Sequence, residues 1–425
     1  MTEKLNRWLT AVIVLVMSLQ SASAQEWSRF RGPNGTGENE TTLIPGTWTE
    51  DDYNWQVKLP GLGHSSPILW GEKLFVLSGD PVNATRYVLC FDSATGQRKW
   101  IKEFNSAPHH LHTQSSYASS TPSADEERIY VAWAEPKRTT LMALTHNGDV
   151  VWEKDLGPWF SQHGFGTSPI IVDGMVILSN SQEAKNGPDA APDPESFMMA
   201  FDRVTGEERW RTPMKSINTS YSVPVLFQPK DKPKQLISIS TGEGMFALDP
   251  KTGKELWSNP LFDKRTVGSP LVKQDMIFGS TGSGGGGNYL MATHCDGTET
   301  KVAYKVTAQA PYVPTAVARD NLLFLIADGG VASCLDLTTG KVHWRERLGG
   351  NFSSSPVRAH DKIFCVSMDG EVVVLAAEKE FSLLHRISLD EGCRATPAIA
   401  NGRLYLRSFS QLKAIGNKTV ASTRQ

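Results

Sequence analysis

Cysteine is scarce in this chain and never paired. Its five cysteines, Cys90, Cys295, Cys334, Cys365 and Cys393, form no Cys-x-x-Cys, no Cys-x-x-Cys-His and no adjacent pair. That spacing excludes zinc ribbons, c-type haem attachment and thioredoxin-like redox chemistry. An odd count leaves at least one thiol unbridged, and most of the five sit in apolar strand patterns, where cysteine acts as a small buried hydrophobe. An excess of one charge is also missing. The formal charge is −2, which gives no field to attract nucleic acid or an anionic membrane. Long apolar runs are missing too: Leu9–Leu19 is mostly apolar, but about eleven residues are too few to span a bilayer as a helix. No Gly-x-Ser-x-Gly elbow occurs, and Thr281-Gly-Ser-Gly-Gly-Gly-Gly287 lacks the Lys-Ser/Thr of a phosphate loop, so it reads as an inter-strand loop.

What is present at the N-terminus is an export pattern. Lys4 and Arg7 precede the apolar stretch, and Ser21-Ala22-Ser23-Ala24 supplies a small-residue cleavage site. Residues 1–24 are therefore expected to be a signal peptide, and the protein periplasmic or secreted. Gln25, not cysteine, follows Ala24, so no lipid-attachment residue stands at the cleavage site. The 36 glycines and 24 prolines imply many turns and short strands, hence an all-β chain.

A repeat decides the fold. FDSATGQRKW, FDRVTGEERW, LDPKTGKELW and LDLTTGKVHW share an Asp, Gly and Trp four residues apart: Asp92/Gly96/Trp100, Asp202/Gly206/Trp210, Asp249/Gly253/Trp257 and Asp336/Gly340/Trp344. A shorter copy keeps Gly148 and Trp152, and Trp55 stands alone near the N-terminus. The chemistry is that of a hairpin: Asp bonds the turn amides, Gly takes positive φ, and Trp lies inside the next strand. The tryptophans are expected to be buried between units. A second marker, small residue–Pro, recurs at Ser66-Pro67, Thr121-Pro122, Ser168-Pro169, Val223-Pro224, Ser269-Pro270, Ser355-Pro356 and Thr396-Pro397, with Pro314-Thr315 as a blurred copy. Small side chains there suit strands that converge on an axis. Eight markers predict an eight-bladed β-propeller of four-stranded antiparallel blades. The last unit lacks its fourth strand, and Trp55 begins a strand with no unit of its own, so the N-terminal strand should close the ring. The expected layout is a signal peptide over 1–24, an N-terminal arm over 25–50, the propeller over 51–416 and a C-terminal tail over 417–425. Arg29, Phe30 and Arg31 should pin the arm across the ring, and Asn186–Glu195 reads as an exposed insertion.

The markers, with Trp27-Ser-Arg-Phe-Arg-Gly-Pro-Asn-Gly ahead of them, resemble the pyrroloquinoline-quinone-like (PQQ-like) repeat family of β-propellers. The resemblance covers roughly residues 50–415. That family includes quinoprotein alcohol dehydrogenases and the outer-membrane assembly lipoprotein BamB, so it specifies a fold more than a function. A quinoprotein of this kind implies calcium ligands, a catalytic Asp and usually an adjacent cysteine pair. The pair is missing, the repeated aspartates are explained as turn formers, and the remaining ligands map onto no residue. No cofactor is expected, PQQ included, and no catalytic or metal residue is assigned.

The densest chemical cluster is His109-His110-Leu-His112, followed by Gln162-His163. Both segments precede a first blade strand, which should bring His112 and His163 together on one face. Imidazoles in such a place suit a metal or an anionic ligand, and loop histidines bonded to backbone or water are the plain alternative. The expectation from sequence is an exported, monomeric, non-catalytic scaffold that binds a protein, peptide or envelope component through its loop faces. A quinone- or metal-dependent oxidoreductase and a BamB-like assembly factor are the alternatives.

Overall fold

The computed structural model describes residues 26–184 and 195–417. The expected signal peptide, most of the insertion Asn186–Glu195 and the tail beyond residue 417 lie outside the described residues.

Eight antiparallel sheets follow one another around an axis. The first strands of blades 1 to 8 are Ile68–Trp70, Ser123–Ala124, Ile170–Val172, Val225–Phe227, Leu271–Lys273, Val317–Arg319, Val357–Ala359 and Ala398–Ala400. The fourth strand of blade 8 is Trp55–Lys58, antiparallel to Gln411–Gly416, with Trp55 opposite Ala414 and Val57 opposite Leu412. The ring is closed by the N-terminal strand. Blade 7 departs from four strands, because Glu38–Asn39 adds a short parallel strand beside Arg358 and Ala359.

The repeated aspartates turn the last hairpin of blades 1, 3, 4 and 6. Asp92 accepts the amides of Ala94 and Thr95, Asp202 those of Val204 and Thr205, Asp249 those of Lys251 and Thr252, and Asp336 those of Thr338 and Thr339. The glycine that follows has two constraints. Its φ is near +70° at Gly96, Gly206, Gly253 and Gly340, and it also lies flat against the aromatic ring of the preceding blade. A Cβ at Gly253 would stand 2.5 Å from Trp210, and one at Gly96 2.6 Å from Trp55. Each indole then donates into that next blade: Trp55 to Ser93 O at 3.1 Å, Trp100 to His146 O at 2.9 Å, Trp152 to Arg203 O at 3.1 Å, Trp210 to Pro250 O at 3.0 Å and Trp344 to Glu378 O at 3.1 Å. Tyr304 does the same through its hydroxyl, to Leu337 O. Two tryptophans differ. Trp257 bonds Gln235 of its own blade, and Trp100 is only partly buried, unlike Trp55, Trp152, Trp210, Trp257 and Trp344.

The small-residue marker has a more specific role than fitting the axis. The hydroxyl at this position accepts the backbone N–H of the same position in the preceding blade. Thus Ser66 N donates to Thr121 Oγ1, Thr121 N to Ser168 Oγ, Val223 N to Ser269 Oγ and Ser269 N to Thr315 Oγ1. Thr315 N then donates to Ser355 Oγ, Ser355 N to Thr396 Oγ1 and Thr396 N back to Ser66 Oγ. The circle is interrupted only where Val223 offers Ser168 no hydroxyl. In the blurred copy Thr315 fills the hydroxyl slot and Ala316 the proline slot, so the marker there is Thr315-Ala316.

The arm packs inside this circle. Trp27, fully buried, bridges to Leu69 of blade 1, and Ser28 O accepts Ala124 N of blade 2. Arg29 donates to Pro224 O at 2.7 Å, and Arg31 to Ala316 O at 2.6 Å and Pro356 O at 2.9 Å. Glu38 pairs with Lys273 and Arg358, and Asn39 donates to Ile399 O. Residues 27–39 thereby tie together blades 1, 2, 4, 5, 6, 7 and 8, while Phe30 packs on the cluster holding Ile170 and Val172 of blade 3.

Candidate functional site

The loops that lead into the first strands meet on one face around a cavity of about 1200 Å³. Its base is the hydroxyl circle, with Ser66, Thr121, Ser168, Thr315, Ser355 and Thr396 exposed to it, and Phe30 of the arm forms part of the floor. The cavity is therefore a well rather than a through-channel. The glycine-rich loop joins the second and third strands of blade 5 and forms part of the wall through Gly282, Ser283, Gly284 and Gly286.

His112, Gln162 and His163 all line this well. The rings of His112 and His163 meet edge to face with centroids 4.2 Å apart. Burial, reinforced by Arg265 and His112, pushes the His163 imidazole down to about 4. It is thus neutral at pH 7, with lone pairs and N–H groups rather than charge to offer. His109 and His110 are not part of the lining. His109 Nδ1 contacts Ala107 O at 3.0 Å and its ring packs on Tyr117, whose hydroxyl bridges the His109 backbone. Among the described residues no three His, Cys, Asp or Glu side chains gather as a metal-binding group.

Sequence reasoning missed the strongest charges in and just behind the well. Arg265 Nη2 pairs with Glu183 Oε1 at 2.6 Å, both side chains nearly buried, and Glu183 Oε2 also accepts Gln162 N at 3.0 Å. Asp328 accepts the amides of Tyr312 at 2.6 Å and Val313 at 3.1 Å, while burial raises its carboxyl above the ordinary value. Asp263 accepts the Tyr289 hydroxyl at 2.8 Å. Lys264 Nζ reaches Gly286 O at 3.3 Å, and Arg394 reaches Gln114 Oε1 at 2.7 Å. Tyr221 hydroxyl, which donates to Gly164 O, joins the blade 3 and blade 4 loops. One signal could have found these residues: His64, Arg265 and Arg394 each stand within four positions before a hydroxyl marker, the segment that faces the well in every blade. The five cysteines lie elsewhere, free and buried, and burial pushes all their thiols up.

This architecture, a closed eight-bladed ring with interlocking aromatic–glycine contacts, defines a PQQ-like propeller. Residues 84–293 and 301–380 match the family model described as outer membrane protein assembly factor BamB, and the chain belongs to that family. No sequence among the curated proteins matches it. Among solved structures it is similar to a europium-containing methanol dehydrogenase, with a TM-score of 0.68 at 12% identity over 91% of this chain and 90% of that one. BamB from Moraxella catarrhalis is similar with a TM-score of 0.60 at 14% identity, over 85% and 98% of the two chains. The quinohemoprotein alcohol dehydrogenase from Comamonas testosteroni gives a TM-score of 0.65 at 14% identity, over 92% and 80%. At these identities the likeness is one of fold. No helix among the described residues is long and apolar enough to cross a membrane.

Proposed function

We propose that this chain is an exported, non-catalytic binding propeller that takes a polypeptide partner of the cell envelope on the face carrying the well. The observation behind this reading is the state of the carboxylates. Glu183 and Asp328 are each engaged by protein donors and Asp263 accepts the Tyr289 hydroxyl, and among the described residues no three such groups gather as the oxygen cluster a calcium-bound quinone needs. The donor set does not fit that cofactor, and the separated, buried cysteines offer no pair beside the well. Export rests on Lys4, Arg7 and the Ser21–Ala24 site, and sequencing of the mature chain should begin at Gln25.

Two measurements test the reading. A photo-crosslinking residue at Gln162, on the well, should capture a discrete polypeptide in the native envelope, whereas one at Val302, exposed on an outer strand, should not. Purified protein supplied with pyrroloquinoline quinone and calcium should show no alcohol-dependent dye reduction. Turnover in that assay would establish the oxidoreductase instead.

A further inference from the structure

We propose that the well receives the C-terminal end of a polypeptide and holds its carboxylate at Arg265 and Lys264, a specification that rests on the scaffold reading above. Shape is the first argument. Phe30 and the arm close the base, so a segment can enter but cannot pass through, and a chain end fits this better than a continuous strand.

Charge is the second argument. The acidic side chains are mostly engaged: Glu183, behind the lining, has Arg265 and the Gln162 amide, Asp328 has two backbone amides, and the exposed Asp263 accepts the Tyr289 hydroxyl at one oxygen. The cations are less occupied. Lys264 reaches only Gly286 O, at 3.3 Å, Arg394 bonds the neutral Gln114 side chain and lies over the Phe409 ring, and neither forms an ion pair among the described residues. Arg265 keeps a buried Nε with no partner among the described residues. Most of the open positions are therefore donors. An incoming ammonium would find Glu183 and Asp328 engaged and only Asp263 with an open oxygen, whereas an incoming carboxylate would meet donors it can share bidentately.

The walls argue for a peptide over a small ion. The well is far larger than a single carboxylate fills, and Tyr221, Tyr312 and Phe352 give it apolar faces. Ser353 Oγ on the same wall is buried without a partner among the described residues, which leaves a hydroxyl for a main-chain group. Capture of a terminal carboxylate by clustered donors is an established mode of peptide recognition.

The test uses decapeptides randomised at their last four positions, synthesised once as free acids and once as C-terminal amides, with binding to the full chain read by fluorescence polarisation. Free acids should bind, and their amides should bind about tenfold more weakly or worse. Lys264→Gln should weaken the free acid several-fold. The paired variant Glu183→Gln with Arg265→Gln, which leaves no buried charge unpaired, should weaken it further at an unchanged melting temperature. Lys301→Gln on an outer strand serves as the control and should change nothing. Equal binding of acids and amides would overturn the carboxylate assignment and leave the scaffold reading standing. Absence of binding by either series would overturn both.

Discussion

At the scale of the residue, the informative positions are those where a repeated chemistry fails. Seven blades offer a hydroxyl at the axis and blade 4 offers Val223, so Ser168 lacks the acceptor its counterparts have. Threonine has nearly the shape of valine and adds the missing oxygen. Val223→Thr should raise stability by about 1 kcal/mol, the ordinary net worth of a hydrogen bond, read as a higher melting temperature. A fall would mean that the hydroxyl cannot reach Ser168 N and is instead buried unsatisfied. His64 is the second such residue. It packs on Phe409 with centroids 5.5 Å apart, and burial, helped by Arg394 and Arg407, pushes its imidazole down to about 3. The sign follows from linkage. An unfolded histidine takes up its proton near pH 6.5, the folded one does not, and stability present above that pH is lost as pH falls toward 3. The maximal slope is about 1.4 kcal/mol per pH unit for one such group. Urea midpoints measured at pH 7, 6 and 5 should fall for the wild type and fall less steeply for His64→Gln. His163 adds in the same direction between about 6.5 and 4. Identical slopes for variant and wild type would show that His64 is not held neutral by burial.

At the scale of the element, the blade was legible because its markers are local. Asp, Gly and Trp stand four apart in one hairpin, and the bonds that fix the turn join residues two and three apart. The reason for glycine was only half legible. Positive φ follows from the turn type, but the contact with the previous blade's indole depends on a neighbour some forty residues away and has no local signature. This doubles the consequence of losing it. Gly253→Ala must adopt φ near +71° and place a methyl 2.5 Å from Trp210, so it should destabilise well beyond the roughly 1 kcal/mol of backbone strain alone. Trp210→Ala should cost about 3–5 kcal/mol. Trp100→Ala should cost less, since Trp100 is only partly buried, a difference the near-identical repeat sequences conceal. Chemical denaturation of the three variants checks the order. Equal losses for Trp100 and Trp210 would show that burial does not set the ranking.

At the scale of the whole molecule, closure was legible from the blade count, whereas the well was only partly so. His112 and His163 could be placed because both precede a marker, but Arg265 meets Glu183 across 82 positions and Arg394 meets Gln114 across 280, pairings that only the closed ring creates. Closure itself has two separable parts. Trp55–Lys58 covers the open edge of Gln411–Gly416, and residues 27–39 tie the first strands together from within. Arg29 and Arg31 are buried and donate to the carbonyls of blades 4, 6 and 7, so the arm satisfies backbone acceptors that would otherwise face the axis. Two truncations distinguish these roles. Removing residues 25–60 exposes a strand edge in blade 8, and an unpaired edge pairs with other chains, so soluble monomer should be lost. Removing residues 25–40 keeps that edge covered and takes away only the inner tie and Phe30. This shorter truncation should stay soluble and monomeric by light scattering, melt at a lower temperature, and carry an axis open at both ends. A monomeric product of the longer truncation with an unchanged melting temperature would show that the ring does not depend on its N-terminal strand. Aggregation of both to the same extent would place the closure in the arm, with Trp55–Lys58 following rather than sealing it.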